Sequence, residues 1–418
     1  MSQLDPRKND ASPDQIYFDI TVSNFKSTTT KPPQFYFNES RTLPFVRCPE
    51  DYYLSILRFT VETGSLPVFI PSIEPNQGNR NKTIYSFTLE YTDPGTGITY
   101  SSGQQFINYI PQRSTNSAKL PRPPNQTANG LQNNNTGYYY IYNYQWLISL
   151  MNITLESAFT ALKANIVSPP PTTPPTPPGT PISNDEFAPF FNWDTSSNSA
   201  VLYADFSVFG VNGTAGANPY KIYINAPLFA LFPTFPVKYL GYEGVVDGKN
   251  YLFEPRNNGS SDLDTITPEP PTTPLNYKAV KVYQECSTIA NMSPITALVF
   301  TSNTLPIQSN QVSTPLVFNN SQEVVLGGNN SDFANIITDL VSDSGQYKPN
   351  LVYNPTSEYR LITLYGNRPL FNIDLNIFWR NKFGQLIPYE INSGEAVTLK
   401  VAFLKKSAYR SKGQNEQV

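Results

Sequence analysis

The sequence predicts an all-β protein, an antiparallel sandwich with a second β-rich region and one or two helices. Three observations carry the prediction. Apolar and polar residues alternate in many short runs. Tyr and Phe are abundant, at 27 and 26 residues, and stretches of Asn, Ser, Gly and Pro separate the runs. A length of 418 residues exceeds one ordinary domain, which leaves room for two cores.

Residues 1–13 read as a flexible polar arm. Ile16, Phe18, Ile20 and Val22 then alternate with Tyr17, Asp19, Thr21 and Ser23, the period of a half-buried strand. Further strands are expected at 34–38, at 51–62 and at 84–91, where Tyr85, Phe87, Leu89 and Tyr91 share one face. Cys48-Pro49 and Asp93-Pro94-Gly95 supply turns. The stretch 101–137 is polar and aperiodic, and reads as a long exposed loop.

Tyr144, Leu147, Ile148, Met151, Leu155, Phe159 and Leu162 recur at helical spacing, so a helix is expected over 144–164, with Asn143 as its cap. The proline-rich segment 168–181 has few free N–H groups and fixed φ angles; an extended connector is its natural form. Strands are expected again at 201–210, 220–232, 237–244, 278–284, 295–302 and 324–328, with an exposed loop at 265–274. A short helix is expected from Ser331, with Phe333, Ile336, Ile337 and Leu340 inward. Phe371, Ile373, Leu375, Ile377 and Trp379 alternate with polar neighbours, a turn follows at 381–384, and Val397, Leu399, Val401 and Phe403 make a last strand.

The chain has no histidine, which removes the usual general base near neutral pH and the commonest metal ligand. Cys48 and Cys286 are its only cysteines, too few for a disulfide framework, and two unpaired, buried thiols are expected, with a single long-range disulfide as the alternative. The carboxylates are scattered, and SSDLD at 260–264 reads as a solvated turn rather than a calcium loop. A two-carboxylate glycosidase is the one enzyme class the composition permits. No catalytic, cofactor-binding or metal-ligating residue stands out, and the expectation is a structural protein that is not an enzyme and assembles with itself.

With 29 Lys and Arg against 32 Asp and Glu, the net charge of -3 gives no field for coating nucleic acid. The basic end, with Lys405, Lys406, Arg410 and Lys412, is the one stretch suited to phosphate or to an acidic neighbour, and a solvated tail is its plain alternative. No segment approaches the ~20 apolar residues that span a bilayer, and the polar start has no leader-like stretch. Asn-X-Ser/Thr triplets such as those at Asn38 and Asn152 are read as chance matches in an Asn-rich chain.

Three blocks resemble the penton-type minor capsid proteins of virophages and polinton-like viruses. They are residues 48–75 with 83–93 (CPEDYYLSILRF and TIYSFTLEYTD), residues 138–162 with 190–210 and 221–236 (YYYIYNYQWL, FFNWDTSSNS and KIYINAPLFALF), and residues 353–407, including FNIDLNIFWRNKFG. The resemblance implies a jelly roll made by residues 14–100 and 280–406, a β-rich insertion over 101–279, and a basic tail over 407–418. It also implies pentamers at the icosahedral five-fold positions, contact with the neighbouring major capsid protein, and synthesis in the host cytoplasm before incorporation into the virion. A major capsid protein with two tandem jelly rolls split at the proline segment is the nearest alternative. A carbohydrate-binding or receptor-binding β protein is the alternative from another class.

Overall fold

The computed structural model describes residues 13–25, 32–74, 79–112, 120–124, 132, 137–172, 175–182, 186–206, 209, 220–242, 245–254, 263–266, 277–312, 317–318, 324–326, 332–341, 350–353 and 360–408. The arm before residue 13, the acidic cluster's Ser260, Ser261 and Asp262, and the tail's Arg410 and Lys412 lie outside them.

Both ends of the chain build one sandwich. Its first sheet runs Gln15–Ser23, Ala396–Lys405, Tyr52–Glu62 and Asn350–Tyr353, and its second runs Ile336–Leu340, Ile295–Thr301, Asn372–Asn381 and Tyr36–Ser40. Short strands Ile362–Thr363 and Leu386–Pro388 extend them, and all these pairings are antiparallel. Counted along the chain, the orders are 1-8-3-6 and 5-4-7-2, the two interlocked Greek keys of a jelly roll. A tandem pair of jelly rolls split at the prolines does not fit, because first and last strands are neighbours, with Phe18 opposite Val401.

Alternation decides which residues fill this sandwich. Phe18 and Ile20 from one strand, Ile373, Leu375, Ile377 and Trp379 from another, and Val397, Leu399, Val401 and Phe403 from the last are all buried together. The strand Tyr52–Glu62 changes parity midway: Leu54 and Ile56 face inward, then Phe59 and Val61 do. The register shift opposite Lys400/Val401 explains it, since a bulge inserts one residue and turns the following side chains to the other face.

Between its third and fourth strands the chain makes one long excursion. It forms a second core from two further sheets and a helix. One sheet runs Val237–Tyr239, Tyr251–Phe253, Tyr220–Ile224, Lys82–Thr92 and Thr99–Ser101, with Gln105–Asn108 beside Lys82–Thr92; the other runs Leu263–Ile266, Tyr277–Tyr283, Ser199–Asp205 and Phe190–Asp194. The helix Tyr144–Val167 packs against Phe190–Asp194, Gln105–Asn108 and Lys82–Thr92. Its inward stripe includes every residue named from the spacing, and the Asn143 side chain accepts from the Trp146 N–H at 2.8 Å.

Five expectations need correction. Lys82–Thr92, placed with the jelly roll over 14–100, pairs inside the excursion with Tyr220–Ile224; alternation says that one face is buried but not in which core. Its second face is buried too, at Ser86 and Thr88. The loop expected over 101–137 contains the strand Gln105–Asn108, with Ile107 and Tyr109 buried. The stretch 220–232 is a strand only as far as Ile224. Asn225 then accepts from Leu228 N–H at 3.2 Å and starts the helix Ala226–Leu231 with Pro227 in its first turn.

The helix expected from Ser331 is extended chain: Asp332–Ala334 and Ile336–Leu340 are strands, the latter paired with Ile295–Thr301. Cys48 and Cys286 are free thiols, as expected, but neither is buried: Cys48 is partly exposed and Cys286 exposed.

Few of the described residues join the two cores, Lys382 among them, whose Nζ donates to Asn291 O at 2.7 Å. Ile141 exchanges backbone hydrogen bonds with Val68 and Phe69, and Ile70 packs against both cores. Tyr140, next to three residues of the excursion's core, turns its ring edge onto Trp379 of the sandwich, centroids 5.7 Å apart. Where the chain leaves the sandwich, a Cβ at Gly64 would sit 2.2 Å from Oε1 of Glu395, so a larger residue there would displace that carboxylate. That glutamate also accepts from the Asn392 N–H at 2.8 Å.

Candidate assembly surfaces

The polar groups that look most chemical are already satisfied by the fold. Asp374 is buried on the outer face of its strand, under the turn that follows Ile295–Thr301. Its carboxylate accepts from Ser302 Oγ at 2.6 Å, Thr304 Oγ1 at 2.7 Å, Thr304 N–H at 2.9 Å and Asn303 N–H at 3.0 Å. Asp93 accepts from Gly95 and Thr96 and, at 2.5 Å, from Thr180 N–H. This last bond ties part of the proline segment down. Tyr100 Oη donating to Pro177 O at 2.7 Å and Gly179 N–H donating to Ile166 O at 2.9 Å do the same. The hydrogen bond from Thr180 leads those that hold the Asp93 carboxyl down at about 2. These carboxylates are anchors, each surrounded by donors rather than facing a cleft.

Among the described residues, no three His, Cys, Asp or Glu side chains stand close enough to hold a metal. No described helix is long and apolar enough to cross a membrane. Lys406 of the basic end donates to Glu50 O at 2.6 Å and lies over the Tyr53 ring, which fixes it against the protein's own surface.

Cys48 is a poor nucleophile. Burial, then Asp51 and Glu50 beside it, push its thiol up to about 11. In a Cys286→Ser background, maleimide labelling at pH 7.5 is therefore expected to run about 10²-fold slower than for an ordinary thiol. The rate should keep rising with pH through 9 and 10, and a plateau below pH 9 in a stopped-flow series contradicts this environment.

The surfaces that remain open are strand edges and apolar side chains. On one lateral side of the sandwich, the edge strand Tyr36–Ser40 and the adjoining loop expose Tyr36 (53%), Leu43 (77%) and Phe371 (44%). On the opposite side, Ile336–Leu340 and Asn350–Tyr353 are edge strands with Val341 (77%) and Val352 (68%) outward. A groove of about 600 Å³ lies there, floored by Ile336, Ile337 and Ile362 and flanked by Arg360, Arg380 and Asp339. In the excursion, Phe229, Tyr251 and Tyr239 form a run of rings with centroids 3.9 and 5.2 Å apart, beside the exposed Tyr242.

Two edges of the excursion carry guards against further pairing. Asn152 closes the strand Phe190–Asp194: its Oδ1 accepts from Phe191 N–H at 2.7 Å, and its Nδ2 donates to Phe191 O at 2.9 Å. Val237–Tyr239 carries Lys238 outward. An edge left without such guards is a template for a neighbouring chain. Nothing in the sequence marked these surfaces, because exposure at a strand edge depends on which strands have no partner.

Comparison with known proteins follows the same lines. A family model described as Sputnik minor capsid protein V18/19 matches residues 16–405. Uncharacterized protein V18 of Sputnik virophage is 34% identical over 167 residues, 40% of this chain and 95% of that protein. Structural protein V19 of the same virophage is 27% identical over 222 residues, 52% of this chain and 94% of that protein. A chain in the 3.5 Å cryo-EM structure of the Sputnik virophage superposes with a TM-score of 0.72 at 27% identity, over 95% of this chain and 99% of that one. The mavirus penton protein shares the fold, with a TM-score of 0.53 at 12% identity over 94% and 99% of the two chains.

Proposed function

This chain belongs to the Sputnik minor capsid protein V18/19 family, and on that premise we propose that it is the vertex protein of an icosahedral capsid, five copies closing each five-fold position. It is a structural protein of the virion. The observation that carries the vertex reading is the combination of one jelly roll with one nested β lobe, the architecture shared along nearly the whole chain with the mavirus penton protein. A single jelly roll per chain suits a ring of five, with major capsid protein as its outer neighbour. The jelly roll is drawn from residues 15–62 and 295–405, and the lobe between them is the part free to vary.

No catalytic step belongs to this role, and synthesis in the host cytoplasm before incorporation is part of the same reading. Native mass measurement of the purified chain, together with a particle reconstruction, tests it. Five-fold rings and density for this chain at the vertices are expected. A trimer, or density confined to the faces, overturns the proposal.

A further inference from the structure

We propose that neighbouring copies join head to tail through the two lateral sides of the jelly roll, the edge at Tyr36–Ser40 of one copy seating in the groove beside Ile336–Leu340 of the next. The inference rests on the vertex reading and names the surfaces that the ring would use.

Symmetry sets the requirement. A closed ring of five cannot be built from a self-complementary patch, so each copy must present two different surfaces that fit each other. The sandwich offers such a pair. One side projects, with Tyr36, Leu43 and Phe371 standing out from it. The other is concave, with the 600 Å³ groove floored by isoleucines. A buried apolar projection inside a desolvated groove is the usual centre of a stable contact.

Charge supports the same match. On the projecting side the guanidinium of Arg41 lies 2.6 Å from Glu39. The residues that line the groove include more cations than carboxylates. Arg360 and Arg380 flank the single carboxylate of Asp339, at 3.2 and 3.4 Å. The groove thus has one cation in excess, and Glu39 on the facing edge is a carboxylate that can share it.

Both strands at the contact are also edges of their sheet. Among the described residues, Tyr36–Ser40 and Ile336–Leu340 each pair with a strand on one side only, neither contains a lysine or proline, and Asp339 O of the second accepts from Arg360. Two of the excursion's edges are closed differently, Phe190–Asp194 by Asn152 and Val237–Tyr239 by an outward lysine.

The test uses the full chain and two substitutions at exposed positions, Leu43→Asp on the projection and Val341→Asp just after the strand that lines the groove. Sedimentation velocity of wild type should give a five-copy ring. Each variant should weaken assembly at least 100-fold, with an unchanged far-UV spectrum and monomer melting temperature; if Leu43→Asp lowers the melting temperature, Leu43→Ser replaces it. Mixing is the decisive arm. The Leu43→Asp copy keeps an intact groove and the Val341→Asp copy keeps an intact projection, so an equimolar mixture should form one-to-one pairs that stop at two subunits. Rings that survive both substitutions, or a mixture that forms no pairs, overturn these surfaces while leaving the vertex reading standing. A wild-type chain that forms no five-copy ring overturns the vertex reading itself, and this inference with it.

Discussion

Asp374→Ala is expected to destabilise the sandwich by about 3–4 kcal/mol at pH 7, one of the largest single losses available to a residue outside the apolar core. Removing the carboxylate leaves two hydroxyls and two backbone N–H groups around it without an acceptor, in a turn where Ser302 is fully buried. Burial alone raises the Asp374 carboxyl. The bonds from Ser302, Thr304 and Asn303 more than reverse that, so its pKa lies below the ordinary carboxylate value. A folded pKa below the unfolded one contributes stability that is complete above about pH 4 and is lost as pH falls through the folded value. The gap between wild type and Asp374→Ala should therefore be widest from pH 5 to 7 and should narrow in stronger acid. Urea unfolding curves across that range check it. A gap under 1 kcal/mol at pH 7, or one that does not change with pH, shows that the turn finds other acceptors.

The fate of Asp374 also shows how far the sequence could be read. Its strand was legible because Ile373, Leu375, Ile377 and Trp379 repeat every second residue, and all four are buried. The same alternation assigns Asp374 to the solvent face. The turn that buries it belongs to a strand some 70 residues earlier in the chain, and no local pattern records that approach. Long-range pairing explains the other misreadings as well. Ile336, Ile337 and Leu340 satisfy a helical period and a buried strand about equally, and the open edge of Ile295–Thr301 decides in favour of the strand.

Asn225-Ala-Pro227 is different, since a capping residue with proline in the first helical turn is a local helix signal that the apolar run around it concealed. For the assembly surfaces the limit is more basic. Tyr36, Leu43 and Val341 are ordinary residues in sequence, and only the sheet order places them on opposite sides of one sandwich.

Trp379→Ala should cost about 3–5 kcal/mol, from lost transfer free energy plus the cavity left in a core that cannot fully collapse. Trp379 is 2% exposed, lies between Leu298 and Ile387 on neighbouring strands, and takes the edge of the Tyr140 ring. The consequence for the rest of the molecule follows from the few residues shared by the two cores. Ile70 is the described apolar side chain packed against both cores, and Tyr140, flanked in sequence by residues of the excursion's core, packs into the sandwich, a narrow link compared with either interior. The loss should thus fall on the sandwich and leave the excursion folded, giving two transitions where domains couple weakly.

The chain supplies its own reporter for this. Its three tryptophans are Trp146, Trp193 and Trp379, and the substitution removes the one in the sandwich. Fluorescence of Trp379→Ala then reports the excursion alone, through Trp193 stacked on Tyr144 at 4.5 Å, while circular dichroism reports both parts. A dichroism transition that begins at lower denaturant than the fluorescence transition is the expected result. Coincident curves mean that the narrow link transmits the full loss, and that the jelly roll and its lobe unfold as one cooperative unit.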